Sequence, residues 1–235
     1  MIYLLELVNY PIYHQLQLEE ALLRVGDKSI CLLNIGTPTS IIMGVSGKPE
    51  ELIDLEKAGQ ENITIIRRFT GGGCVVADEN TLFVTFIFSK GFLPLSFFPE
   101  PILHWTETFY RSAFALPHFT VSENDYTLDG FKCGGNAQYI TKDKFLHHTT
   151  FLWDYHPKKM NLLYLPRKRP KYRQDRNHSE FLYTLKNLFF SKEMVFKKIK
   201  GELSKQFSVK NFPLEEALSY IRIPHRQSTK LLEKK

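Results

Sequence analysis

The ten residues Arg67-Arg68-Phe69-Thr70-Gly71-Gly72-Gly73-Cys74-Val75-Val76 decide how the rest of the chain is read. Ile63 to Arg68 reads as a strand running into the three glycines. Leu82 to Phe88, on the far side, is almost continuously apolar, as expected of a strand buried on both faces. Glycines without a Cβ let backbone N–H groups come close to an anion, and two adjacent guanidinium groups add bidentate donors for phosphate or carboxylate. The run is neither a dinucleotide fingerprint nor a Walker loop, since it has no G-x-G-x-x-G and no Gly-Lys-Ser/Thr. Two readings stand at this point: an anion-binding loop, and a Gly-rich hairpin with a structural purpose.

Upstream, Leu16, Leu18, Ala21, Leu22 and Leu23 follow helical spacing, which predicts a helix over about 13–25 capped by Gly26. Ile30 to Ile35 and Ile41 to Met43 read as short strands. Downstream, Pro101 with Ile102, Trp105, Phe109, Ala113 and Phe114 predicts an amphipathic helix. Tyr126 to Leu128 and Phe131 to Cys133 form a predicted hairpin about Asp129-Gly130, with Lys132 opposite Thr127 and flexible backbone after it. Phe145 to Trp153 supplies another strand. Residues 155–178, rich in proline and charge, read as a long, basic surface connection. Ser179 is the expected N-cap of a helix with Phe181, Leu182, Leu185 and Leu188 or Phe189 on its apolar stripe, and 226–235 is expected to fray. The whole of 1–235 reads as one α+β domain.

Bulk properties narrow the choices. With 43% hydrophobic residues the 235-residue chain can bury a core of ordinary size. No stretch approaches the roughly 20 apolar residues of a membrane span, and the N-terminus does not read as a secretion signal, so a cytoplasmic protein is expected. Cys31, Cys74 and Cys133 are odd in number and scattered, which fits neither a disulfide framework nor a zinc site. The net charge of +6 permits acidic or phosphorylated partners without choosing among them. The cations gather at Lys158, Lys159 and from Arg167 to Arg176, then at Lys197, Lys198 and Lys200.

Lys132 precedes Gly134-Gly135-Asn136-Ala137-Gln138. In a cleft its ammonium could neutralise phosphate and a carbonyl oxygen during acyl transfer, whereas on a plain hairpin it would sit in solvent. His147 and His148 lie on one strand and point to opposite faces, so they cannot share a metal, and one is expected on the core side and the other toward a cleft.

Together these segments resemble the lipoate-protein ligase family, within the biotin and lipoate ligase group. The resemblance rests on Arg67 to Gly73 with Cys74, Val75, Val76 and Asp78. It continues in Lys132 with Gly135, Asn136, Ala137 and Gln138, in His147, His148, Thr150 and Leu152, and in Arg169 to Arg173 with Arg176 and His178. It implies a central, mostly antiparallel sheet flanked by helices, and two chemical steps: lipoate and ATP give lipoyl-AMP, then an acceptor lysine takes the lipoyl group. It assigns the catalytic role to Lys132. ATP and adenylate contacts fall to Arg68, Gly71, Gly72, Gly73, Cys74, Val75, Val76, Thr81 and Lys132, and lipoate contacts to Lys132, Gly135, Ala137, His148 and Thr150. Mg²⁺ is expected with ATP, with no protein ligand assigned. The implied partners are lipoyl-domain proteins, namely E2 subunits of 2-oxoacid dehydrogenases and the glycine cleavage H protein, and neither membrane nor nucleic acid is expected.

The chain departs from the family pattern at Ala77 (commonly His), at Asn80-Thr81, at Thr149 (commonly Gly), and at Gly44 to Lys48, which lacks an Arg-x-Gln-Asn. It is also shorter than the ligases that carry an accessory domain, so its own tail, a helper subunit or a single efficient half-reaction would have to compensate. Two rivals remain. An octanoyl or lipoyl transferase of the same fold needs a reactive cysteine, and a non-catalytic adenylate or nucleic-acid binder needs none. The basic run at Arg167 to Arg169 would suit docking of acidic acceptors.

Overall fold

The computed structural model of the chain describes residues 1–164, 170–174, 176 and 178–232. The strands are β1 (Ile2–Val8), β2 (Ile30–Ile35), β3 (Ser40–Met43), β4 (Thr64–Arg67), β5 (Cys74–Ala77), β6 (Thr81–Ser89), β7 (Phe119–Ser122), β8 (Asp125–Leu128), β9 (Phe131–Ile140), β10 (Lys144–Leu152), β11 (Val209–Asn211) and β12 (Lys230–Leu231). The helices are α1 (Ile12–Val25), α2 (Pro49–Leu52), α3 (Leu55–Gln60), α4 (Pro99–Phe114), α5 (Pro157–Met160), α6 (His178–Phe181), α7 (Lys192–Gln206) and α8 (Leu214–Ser219).

An eight-stranded sheet runs in the order β11-β1-β2-β6-β10-β9-β8-β7, antiparallel except where β1 lies parallel to β2 and β11. A four-stranded sheet runs β12-β4-β3-β5. The fold is α+β with a large, mostly antiparallel sheet, as expected. β6 shows why its sequence is so apolar: Val84, Phe86 and Phe88 face α4 and α7, while Ile87 joins Leu18, Leu22 and Leu23 of α1 on the other side. Edge-to-face aromatic pairs knit the α4 side, including Tyr110–Phe151 at 4.8 Å and Phe86–Phe109 at 5.2 Å. Among the described residues no helix is long and apolar enough to cross a membrane.

Five expectations need correction. β4 and β5 are not a hairpin, because β3 lies between them, parallel to β4 and antiparallel to β5. The glycines after Lys132 are not flexible backbone: β9 continues through them to Ile140 and pairs with β10. No continuous helix starts at Ser179, since α6 ends at Phe181, only a 3-10 turn at Leu185–Asn187 follows, and the next α-helix, α7, starts at Lys192, with Ser191 as its cap accepting from the Met194 N–H at 3.2 Å. Between them the N–H groups of Tyr183 and Lys186 bond the carbonyls of Lys132 and Trp153, which a helix would have withdrawn from those strands. The described parts of 155–178 are not simply surface: Leu162 and Arg173 are buried, and Arg173 stacks over Phe181 at 4.7 Å. Arg167, Lys168 and Arg169 lie outside the described residues.

The fifth correction concerns the tail. Ser228 and Thr229 donate their backbone N–H groups, and Thr229 its hydroxyl, to the buried carboxylate of Glu20 at 2.9–3.1 Å. β12 then pairs with Ile66 and Arg67 of β4. Burial favours neutral Glu20, but these donors and Arg24 outweigh it and lower its pKa. Deleting residues 226–235 should leave Glu20 buried with Arg24 as its main partner and cost about 2–4 kcal/mol, read as a lower urea midpoint.

On the α4 side, His147 is fully buried, 2.8 Å from the Tyr126 hydroxyl, and its Nδ1 has no partner among the described residues. Burial, and then the neighbouring His148, push its pKa down to about 3 from 6.5. Between those values the unfolded chain binds the extra proton, so stability falls as pH drops through that window. His147→Gln should flatten the dependence of the denaturation midpoint on pH, by at most about 1.4 kcal/mol per pH unit.

Candidate functional site

The strand order puts the triple-glycine loop at one wall of a cleft of about 520 Å³ between the two sheets. Gly72 has φ +101°, and a Cβ there would stand 2.6 Å from Arg68 Nη2. Gly44 approaches the same turn from β3, where a Cβ would meet the Gly72 carbonyl at 2.2 Å. Gly44 has no room for a methyl group against fixed backbone, and at Gly72 a methyl would displace the end of Arg68 and strain a positive φ. Among the described residues, the N–H groups of Gly71, Gly72 and Gly73 bond no backbone acceptor. Among the described residues β5 pairs with β3 on one edge and with no strand on the other, so Cys74 to Ala77 also bring an unpaired strand edge to the cleft.

The arginines do not form the expected fork for an anion. Arg67 Nη1 donates to the carbonyls of Val45 at 3.0 Å and Gly47 at 2.6 Å. Arg68 grips the Gly71 carbonyl with Nε at 3.1 Å and Nη2 at 2.7 Å. Burial draws the Arg68 pKa down to about 10, which still leaves it charged at neutral pH. Its present work is to hold the glycine turn, with one face lining the cleft.

The opposite wall comes from β9, β10 and α1. Lys132 stands opposite Thr127, as expected, and its Nζ lies 2.7 Å from Asp125 Oδ1. Asp125 Oδ2 accepts from the Tyr172 hydroxyl at 2.8 Å, and burial followed by the Asp125 charge raises the pKa of Tyr172. His148 faces the cleft wall, unlike His147. Its Nδ1 bonds Glu19 at 2.9 Å, and Glu19 also accepts from Thr85 and Gln15 at 2.7 Å each. Nε2 of His148 has no partner among the described residues. Gly135, Ala137 and Thr150 complete this wall with Leu16, and Ile42 of β3 lines the cleft from the glycine-turn side.

All the residues to which the resemblance gives catalytic, nucleotide or lipoate contacts therefore line one cleft, except Gly71, which is exposed at the loop's outer rim, whereas Arg67 and His147 do not line it. Thr81 lines it through the β5–β6 turn, where its Oγ1 accepts the Asp78 N–H at 3.1 Å. Asp125 and Glu19 were missed, and Gly44, Tyr172 and Lys159 were named without a role in the site. Only the Asn-Asp-Tyr run ahead of the hairpin, two residues short of the position facing Lys132, offered a signal for Asp125. The cysteines are poor nucleophiles: Cys31 and Cys133 are fully buried, and burial pushes Cys74 and Cys133 up to about 12.

The family model for the lipoyl protein ligase A/B catalytic domain matches residues 11–208. The chain belongs to this family. A Plasmodium falciparum relative named inactive lipoate–protein ligase 2 is 27% identical over 244 residues, covering 79% of this chain and 64% of the relative. The chain thus spans less than two thirds of that relative's length. Among solved structures, a lipoate-protein ligase A bound with ATP superposes with a TM-score of 0.75 at 20% identity, covering 94% of this chain and 92% of that one. The bi-partite lipoate protein ligase of Thermoplasma acidophilum, described with its E2 lipoyl domain, gives 0.75 at 19% identity, with 94% and 91% covered. These likenesses establish the lipoate ligase fold.

Two departures from the lipoate ligase pattern have local explanations. Thr149 faces the core and accepts a hydrogen bond from Tyr110 at 3.0 Å. The segment after β3 is held by Arg67 through two carbonyls. Among the described residues a Mg²⁺ ion finds no fitting cradle. Asp78, Glu79 and His156 bring one ligand atom each within 4.8 Å of one another, but the Lys159 ammonium already sits on both carboxylates, at 2.8 Å and 3.3 Å.

The glycine contacts lead to a paired prediction. Gly72→Ala should cost about 1–3 kcal/mol, because it combines a strained φ with displacement of Arg68. Gly71→Ala, where a Cβ meets nothing within 4 Å, should be nearly neutral. Thermal unfolding of the two variants checks the contrast.

Proposed function

We propose that this chain is an ATP-dependent lipoate-protein ligase. The observation that carries this reading is that the Lys132 ammonium, the N–H groups of the glycine turn free of backbone partners and the unpaired edge of β5 share one cleft with an apolar wall. In the first step a lipoate carboxylate oxygen attacks the α-phosphorus of ATP and pyrophosphate leaves. In the second, the acceptor lysine nitrogen attacks the lipoyl carbonyl carbon, the C–O bond to phosphate breaks, AMP departs and the amine loses a proton to solvent.

In this reading the Gly73 to Val76 backbone holds the adenylate, with Gly71 and Gly72 shaping the turn. Arg68 keeps that turn in place through the Gly71 carbonyl, and Thr81 fixes the β5–β6 corner. Lys132 moves from Asp125 onto the phosphate and the acyl carbonyl, where its charge opposes the developing oxyanion. Gly135, Ala137, His148 and Thr150 enclose the acyl chain. Mg²⁺, with no ligand assigned among the described residues, would supply counter-charge to the ATP phosphates. The mixed anhydride is already activated, so holding it in register with the acceptor supplies most of the rate, and no nucleophilic side chain is needed. The buried, high-pKa cysteines favour this route over a thioester transferase. The acceptors are lipoyl-domain proteins, of the E2 and H-protein kinds.

The test is to incubate the protein with a lipoyl-domain acceptor and lipoate, with and without ATP, and to record the acceptor's mass. ATP-dependent addition of a lipoyl group is expected, and Lys132→Ala should slow it at least about tenfold, as loss of an oxyanion donor does. Addition only from an acylated carrier would point to the transferase. Lipoyl-AMP that is bound but never passed on would point to a binding protein.

A further inference from the structure

Among the described residues two lysines line the cleft, Lys132 and Lys159, and the proposed reaction uses only the first. Lys159 stands on α5 and reaches across to the β5–β6 turn. Its Nζ lies 2.8 Å from Asp78 Oδ2, 3.3 Å from Glu79 Oε2 and 3.1 Å from Thr39 Oγ1. The Asp78 side chain is 8% exposed and that of Lys159 is 23% exposed, so water screens this pair little. His156, just ahead of α5, bonds the other oxygen of Glu79 at 2.9 Å. Lys192 of α7 takes the Glu79 carbonyl, and Asp154 is occupied by Lys186.

The chemistry makes this arrangement consequential. An acyl-adenylate reacts with any neutral amine that reaches its carbonyl carbon, and the proposed product is a lysine amide. A neutral Lys159 would therefore compete with the acceptor: a C–N bond would form, the C–O bond to phosphate would break, AMP would leave and the nitrogen would lose its proton to solvent. The protein would then be acylated in its own cleft.

We propose that Asp78 and Glu79 are specificity residues that pair with the Lys159 ammonium and so reserve the acyl group for the acceptor protein. Burial alone would lower the Lys159 pKa, but the bonds to Asp78 and Glu79 outweigh it and raise it above the ordinary lysine value. The inference rests on the ligase reading, since it requires an acyl-adenylate in the cleft.

The test compares wild type with the Asp78→Asn/Glu79→Gln double variant, each given lipoate and ATP, and separately given synthetic lipoyl-adenylate, followed by peptide mass mapping. Pyrophosphate release by wild type reports on the ligase reading alone, and its absence would remove that reading. With adenylate formed or supplied, lipoylation at Lys159 should rise roughly tenfold or more in the double variant, the change in free amine for each unit of pKa lost. Adding Lys159→Ala to the double variant should abolish that adduct. Lys159 labelling no greater in the double variant than in wild type would overturn the proposal.

If the double variant does not fold, wild type still decides. Labelling by a small N-hydroxysuccinimide ester across a pH series should show Lys159 becoming reactive at higher pH than the exposed Lys197. Coincident pH midpoints would overturn the proposal equally.

Discussion

The contact between Gly44 and Gly72 is the constraint on which the rest depends. With the Gly72 carbonyl where a Gly44 Cβ would stand, the β3 exit and the glycine turn pass at backbone distance. That approach lets β3 sit between β4 and β5, and the same order sends β5 to the cleft with one edge unpaired. Arg68 holds that turn through the Gly71 carbonyl while one face lines the cleft, which explains a guanidinium that is both buried and bonded to backbone.

A second theme is the use of α1 to serve two places at once. Adjacent carboxylates on this helix are both buried, and each is satisfied by a different part of the chain. Glu19 fixes the ring of His148 in the cleft wall, while Glu20 gathers the backbone of Ser228 and Thr229. A buried carboxylate without such donors would cost several kcal/mol. The cleft wall and the C-terminal strand are thus tied to one turn of one helix, although they lie far apart in sequence.

Much of this was legible in the sequence, and the boundary of legibility has physical causes. β6 and α4 declared themselves through strong periodic or continuous hydrophobicity, and Asp129-Gly130 gave the hairpin that sets Lys132 opposite Thr127, both turn residues having positive φ. The opposed faces of His147 and His148 followed from strand alternation alone. What escaped were features made by tertiary pairing. β1 is apolar but carries no turn signal before it, and it is defined by its parallel partner β2. The stripe from Phe181 to Phe189 has helical spacing, yet within the segment the N–H groups of Tyr183 and Lys186 bond the carbonyls of Lys132 in β9 and of Trp153 just after β10. The basic composition of the tail gave no hint of its pairing, because its binding partner is a carboxylate more than 200 residues away. In the site, the glycines, Lys132 and His148 were found from local pattern and resemblance, whereas Asp125 and Lys159 matter through the ions they face.

The short strand β12 has a consequence of a different kind. It covers the outer edge of β4, whose Thr64-Ile65-Ile66-Arg67 would otherwise present open hydrogen-bonding groups beside β-branched side chains. Such an edge is a template for a strand from another molecule. Lys230 and Leu231 therefore occupy hydrogen-bonding groups of Ile66 and Arg67 that a strand from another molecule would otherwise find open.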